Sequence, residues 1–165
     1  MSDVIIRDAR PADMDSIGQL GALLVRTHHE YDPARFFAAT AQTPQGYGSF
    51  LVSQIGQPNV IVLVAVVDEH VVGYAYAGSD GNDWMSLRGP AGVLHDLVVD
   101  PAHRGRGIGR ALLDAAVKAL RALGSRQMIL FTAERNDAAQ RLFARAGFRR
   151  TMIEMTLDTP VNEAR

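Results

Sequence analysis

The fold class this sequence predicts is α/β (α+β), one mixed sheet flanked by helices, and three observations predict it. Residues 60–67 are an unbroken apolar run rich in β-branched side chains, the composition of a strand covered on both faces. Residues 108–123 and 137–146 repeat apolar side chains every three or four positions, as core-facing helices do. Between a β-prone run at 93–99 and the first of those helices lies Arg104-Gly105-Arg106-Gly107-Ile108-Gly109-Arg110, a glycine-rich turn joining strand to helix. Such a turn lets backbone N–H groups converge at a helix start, where a phosphate is the natural guest.

Composition narrows the function classes. The chain has 165 residues, 47% of them hydrophobic, which suits a single domain over 1–165. A net charge of −1 provides no broad basic field, so no nucleic-acid partner is expected. The absence of cysteine excludes a disulfide framework, a thiolate metal site and a cysteine acyl-enzyme. No H-E-x-x-H spacing occurs and no metal is expected. The first residues lack a signal-peptide pattern and no run could span a bilayer, so a cytoplasmic protein without a membrane partner is expected.

Taken in order, residues 4–7 form a short strand, and Pro11 with Asp13 and Asp15 opens a helix. Met14, Ile17, Gly21, Leu24 and Val25 stripe that helix as far as His28. His28, His29, Glu30, Tyr31 and Asp32 end it before Pro33; the histidines suit the negative end of a helix dipole. Residues 43–48, rich in turn formers, read as a connection between short helices. After the strand at 60–67, Asp68-Glu69-His70 turns the chain into a hairpin partner at 71–77, with Gly73 as a bulge or close-packing point. Residues 78–90 read as a loop carrying Asp83 and Trp84. That pair could hold a cationic amine through charge and cation–π attraction, or Trp84 could plug the edge of the core.

In the run 93–99, period-two alternation sets His95 and Asp96 on opposite faces, so only one of them would look into a cleft. Histidine titrates near neutral pH and can accept a proton, and aspartate can orient an amine; a buried structural pair is the alternative. Past the glycine turn, Ile108, Leu112, Ala116 and Leu120 stripe a helix ending at Gly124. A strand is expected at 127–133, and a helix starting at Asn136 and closing at Gly147. Residues 149–157 alternate as a last strand.

The glycine turn fits neither common nucleotide fingerprint. Counting from Gly105 or Gly107, the third glycine of G-x-G-x-x-G would fall on Arg110 or Leu112, and no Gly-Lys pair occurs for a P-loop. Arg104-x-x-Gly107-x-Gly109, following Val99-Asp100-Pro101, instead resembles motif A of the GNAT acetyltransferase superfamily. Residues 136–148, Asn-Asp-Ala-Ala-Gln-Arg-Leu-Phe-Ala-Arg-Ala-Gly-Phe, resemble motif B. Leu94-His95-Asp96-Leu97-Val98-Val99 is similar to the corresponding strands of spermidine/spermine and aminoglycoside 3-N-acetyltransferases.

The resemblance implies a mostly antiparallel GNAT sheet and an acetyl-coenzyme A-dependent N-acetyltransferase that passes acetyl directly to a primary amine. The amine would belong to a polyamine, an amino sugar, another small molecule or a protein. It assigns Arg104, Gly105, Arg106, Gly107, Ile108, Gly109 and Arg110 to the pyrophosphate of acetyl-CoA. Leu97, Val98, Val99 and Asn136 fall to the pantetheine arm, Asn136 being a helix cap as well or instead, while His95 and Asp96 take the catalytic positions. Glu30 and Tyr31 become candidates for acceptor contact. Phe143 stands where many members carry the tyrosine that protonates the leaving thiolate, so water, Tyr31 or another hydroxyl must serve. A homodimer built with the last strand is implied, and the alternative function is a non-catalytic acyl-CoA sensor or partner-binding module.

Overall fold

The computed structural model describes residues 3–159. The ends of the 1–165 domain assignment, including the first two residues of the N-terminal reading, lie outside the described residues. Five strands form one sheet in the order β1 (Ile5–Asp8), β2 (Val60–Val67), β3 (His70–Asp80), β4 (Ala91–Val99) and β5 (Met128–Leu130). The first four are antiparallel neighbours, and β5 joins β4 in parallel. Helices α1 (Met14–Tyr31) and α2 (Thr43–Gln54) cover one face. On the other lie α3 (Ile108–Ala122) and α4 (Asp137–Arg145).

Alternation along the central strands divides the core in two. Leu63, Ala65, Val72 and Ala75 pack against Ile108, Leu112, Ala116, Leu120 and Phe143 on the α3 face. Val62, Val64, Tyr74 and Val98 pack against Ile17, Leu20 and Leu51 on the α1 face. The expected stripe of α3 is therefore buried, and Gly124 and Gly147 end α3 and α4 with φ of +88° and +95°, where a side chain would be strained. A Cβ on Gly73 would meet the Val98 carbonyl oxygen at 2.7 Å, so this glycine serves the close approach of β3 to β4. At the sheet edge, the Arg7 guanidinium holds the Asp13 carboxylate by two hydrogen bonds of 2.8 and 2.9 Å, tying β1 to the turn that opens α1. This pairing keeps Asp13 below the ordinary carboxylate range.

Five expectations differ from the structure. Residues 43–48 are not a connection between short helices but the opening turns of the single helix α2: Pro44 occupies its first turn, where no N–H is needed. Its glycines serve a helix crossing, since a Cβ on Gly48 would lie 2.5 Å from the Met14 carbonyl oxygen and one on Gly18 would lie 2.2 Å from that of Pro44. The hairpin strand β3 reaches Asp80, three residues beyond the expected end, because β4 keeps pairing with it as far as Ala91. Residues 149–157 form no strand; they pair with no strand among the described residues, and Met152, Ile153, Met155 and Leu157 are exposed. The last two differences lie in the length of β5 and in the faces of β4.

The register of β4 explains both. Val99 to Asp96 pair in step with Gly73 to Tyr76, but the next partner of Ala77 is Leu94, which leaves His95 as an extra residue in a β-bulge. The bulge resets the alternation. Leu94 belongs to the α3-side core, yet Asp96 and His95 both turn toward the α1 side, so the two do not occupy opposite faces. Pairing of β5 with β4 stops at Leu94–Leu130, one residue before the bulge. A strand expected over 127–133 therefore shrinks to three paired residues, and beyond them β4 and β5 part.

Candidate active site

Where the strands part there is a cavity of about 320 Å³. Leu94, His95, Asp96 and Leu97 line one wall, and Leu130, Phe131 and Thr132 the facing one. Asn136, Ala139 and Phe143 of the α4 region close one end. The other end is closed by Leu24, Val25 and His28 of α1, by Tyr47 of α2, and by Phe36 and Phe37 from the connection between those helices. The bulge creates the opening and fills its head with ionisable side chains.

Asp96 is held by two phenols. The Tyr47 and Tyr74 hydroxyls both donate to its Oδ2, at 2.6 and 3.0 Å, and among the described residues none donates to Oδ1. Burial pushes the Asp96 carboxyl above the ordinary carboxylate range, against the opposing pull of the two hydroxyls. The same burial, with the neighbouring carboxylate, pushes both tyrosines up, so they remain donors. Tyr47 reaches this position because α1 gives way. A Cβ on Gly21 would lie 2.2 Å from the Tyr47 ring, so only glycine lets the ring lie across α1.

His95 is exposed and stacks on Tyr76, with ring centroids 4.8 Å apart at 29°. Phe50 of α2 meets the far side of the stack edge-on, packing against Tyr76 at 5.8 Å. On the α1 side, Nδ1 of His28 lies 2.8 Å from the Leu24 carbonyl oxygen. That oxygen can only accept, so Nδ1 carries a hydrogen. His29 likewise donates from Nδ1 to the Phe36 carbonyl at 2.7 Å, which anchors the segment bearing both phenylalanines.

Beyond the far end of β4 the glycine turn has the geometry that an anion needs. Gly105 and Gly107 have φ of +76° and +80°, and Gly107 sits at the position preceding α3, so the first-turn amides of that helix lack intrahelical partners. Among the described residues, no atom beyond the adjoining residues lies within 4 Å of where a Cβ would project from either glycine, so it is conformation that demands glycine there. Gly109 packs toward Leu142 and Val99, and Ile108 is buried. Arg104 and Arg106 are exposed, Arg104 donating from Nε to the Val99 carbonyl at 3.0 Å. Arg110 pairs with Asp114 at 2.9 Å. Leu97 is at the cavity wall, while Val98 and Val99 pack in the two cores.

Asn136 lines the cavity and also accepts from the Ala139 amide through Oδ1, the helix-cap geometry. Phe143 is buried at the cavity end and offers no hydroxyl. The remaining candidates are not brought to the cavity lining. Glu30 is exposed on α1, and Tyr31 meets His28 edge-on at 6.0 Å while its carbonyl accepts from Arg135. Asp83 caps its own turn, accepting from the amides of Met85 and Ser86. Trp84 is 77% exposed and plugs no core edge.

Tyr47, Tyr74, Phe36, Phe37 and Thr132 are site residues that the sequence reading did not single out. The one local signal was Gly46-Tyr47-Gly48, an aromatic flanked by glycines on a helix, which marks a close crossing.

Comparison with known proteins agrees with this geometry. A family model described as the acetyltransferase (GNAT) family matches residues 25–148. A mycothiol acetyltransferase of Geodermatophilus obscurus is 36% identical over 83 residues, 46% of this chain and 27% of that protein. An L-methionine sulfoximine/L-methionine sulfone acetyltransferase of Salmonella typhimurium is 38% identical over 88 residues, 53% of this chain and 49% of that protein. These alignments thus span between about a quarter and a half of the curated relatives' length. Among solved structures, a mutant of the BH1408 protein from Bacillus halodurans has a TM-score of 0.81 at 23% identity, covering 94% of this chain and 99% of that one. An aminoglycoside N-acetyltransferase in complex with coenzyme A gives 0.71 at 18% identity, covering 98% and 97%. At those identities the likeness is one of fold: a mostly antiparallel sheet between helices.

Proposed function

Because this chain belongs to the acetyltransferase (GNAT) family, we propose that it is an acetyl-CoA-dependent N-acetyltransferase that transfers acetyl directly to a primary amine. The observation that carries the reading is the bulge at His95. One extra residue parts β4 from β5 and turns both His95 and Asp96 toward the space that opens. The residues fit acetyl-CoA: two left-handed glycines before the unpaired amides of α3 suit a pyrophosphate, and an unpaired stretch of β4 suits an amide-bearing arm. Bound there, acetyl-CoA supplies the thioester whose C–S bond breaks as the acceptor's N–C bond forms.

The chain's own residues account for binding and for protons. Asp96, with Oδ2 committed to two tyrosines, offers Oδ1 to an ammonium and fixes the amine by charge. The amine must lose a proton to attack, and the exposed imidazole of His95 at the bulge accepts it, directly or through one water. Backbone N–H groups of the parted β4 stretch are the donors for the developing oxyanion. The departing thiolate takes its proton from water or from Thr132, the hydroxyl at the wall facing Asp96, since Phe143 has none to give.

Thiol release from acetyl-CoA with a panel of amines tests the reading, alongside calorimetric acetyl-CoA binding. Turnover that fails in His95→Ala and Asp96→Asn while binding persists supports it. Tight binding without turnover on any amine would favour a non-catalytic acyl-CoA sensor, and absence of binding would end both readings.

The homodimer expected from the sequence has one support: Ile153, Met155 and Leu157 lie 77–90% exposed in a segment that, among the described residues, has no sheet partner, while β5 pairs there on one side only. A second copy seated there would cover both, and sedimentation of the full chain against a variant with Ile153→Lys and Met155→Lys decides it. A monomer in both samples would remove the proposal.

A further inference from the structure

We infer that the acceptor is a small primary alkylamine with a single ammonium and an apolar, ring-sized arm, the ammonium seated at Asp96 and the arm between α1 and the segment carrying Phe36 and Phe37. This rests on the acetyltransferase reading and names its substrate class from three features of the cavity.

The first is charge. Among the described residues Asp96 is the only carboxylate in the lining, and no lysine or arginine contributes to it. One ammonium finds one carboxylate oxygen without a protein partner. A polyamine or amino sugar would bring further ammonium groups to a wall with no second carboxylate, and an amino acid would bring a carboxylate to a wall with no fixed cation. Each would leave a charge desolvated and unpaired.

The second feature is the apolar half of the lining. Leu24 and Val25 of α1 lie opposite the parted strands, and Phe36 is held in place from both sides. Its carbonyl accepts from His29, and its ring takes the His28 edge at 5.1 Å and the Arg35 guanidinium at 4.9 Å. Fixed apolar walls of this kind reward an apolar arm and offer little to a sugar. The third is exposure at the mouth. Phe37 and Phe131, from segments on opposite sides of the cavity, are each 78% exposed although they line it, and an apolar ligand between them would remove that surface from water. The volume of about 320 Å³ must also receive the end of the acyl donor, so the amine is small.

The test compares 2-phenylethylamine and isopentylamine with spermidine, neamine and methionine sulfone as acceptors for the full chain at saturating acetyl-CoA. The expected result is a kcat/KM for 2-phenylethylamine about 100-fold above that for spermidine or methionine sulfone. Val25→Asp, which adds a second carboxylate to the apolar wall, is expected to shift the ratio about tenfold toward spermidine with acetyl-CoA binding unchanged. Preference for spermidine, neamine or methionine sulfone, a ratio unmoved in Val25→Asp, or acetyl-CoA binding with no amine turned over would each overturn this inference. Of these outcomes only the last also counts against the acetyltransferase reading, whereas failure to bind acetyl-CoA removes that reading and this inference together.

Discussion

The glycine turn and the head of the cleft are two halves of one proposed site, built of different material. At residues 104–109 the work falls to backbone: left-handed glycines and the unpaired amides of α3, all supplied by consecutive residues. At Asp96 it falls to side chains from four separate elements: β4, with Tyr74 from β3, Tyr47 from α2 and His28 from α1. A backbone cradle tolerates almost any side chain that can adopt its φ. A side-chain cluster depends on packing tens of residues away, so damage to the two should separate as binding loss and turnover loss.

The largest separation is expected at Asp96. Asp96→Asn keeps the shape and can still accept from both tyrosines but cannot hold an ammonium by charge, so turnover should fall by about 10²-fold, the scale on which a mispositioned reactant loses rate. Calorimetric affinity for acetyl-CoA should not change. A parallel loss of affinity would mean that the two halves are one unit.

Gly107→Val is the mirror experiment. Valine at φ +80° is strained by roughly 1–2 kcal/mol or more, and since no neighbouring atom among the described residues obstructs the side chain, that conformational strain alone makes the turn rearrange. Acetyl-CoA affinity should drop about tenfold, while the acceptor's KM, measured with acetyl-CoA saturating, should stay at its original value. A changed acceptor KM would show that strain in the turn propagates along β4.

The same division decides what the sequence disclosed. Residues 104–109 and the stripe of α3 are local patterns, so the cradle and its helix were legible from spacing, as were β2 and the caps at Gly124 and Gly147. His95 and Asp96 were legible as residues but not as a pair. A bulge is a property of the register between β3 and β4, and period-two counting on one strand cannot detect it. Tyr47 was hidden for a related reason: its glycine neighbours look like turn formers until Gly18, Gly21 and Gly48 are known to meet at a helix crossing. The last segment alternated convincingly, yet alternation does not supply a partner strand, and residues 149–157 have none.

Gly21→Ala tests that crossing directly. Its methyl would overlap the Tyr47 ring, so either the helices separate or the ring leaves Asp96. Overpacking of this kind costs about 1–3 kcal/mol in stability, read from urea midpoints. If Tyr47 is what yields, turnover should fall more than stability accounts for. A variant as stable and active as the parent would show that the close approach is not needed to hold Asp96.

The smallest effect, and the most specific, belongs to Tyr47→Phe. Removing one hydroxyl from a half-buried hydrogen bond costs about 1 kcal/mol, but the consequence for Asp96 depends on pH. The hydroxyl opposes the rise caused by burial, so its loss moves the carboxyl further up. A carboxyl raised in the fold binds its proton more tightly than in the unfolded chain, so stability falls as pH rises from about 3.9, the unfolded value, through the folded pKa. In Tyr47→Phe that window extends to higher pH. Its urea midpoint should therefore lie closer to the parent's near pH 4 than near pH 7, and the acid limb of its pH–rate profile should move upward. A deficit independent of pH would assign to Tyr47 a packing role alone, with Asp96 held by Tyr74.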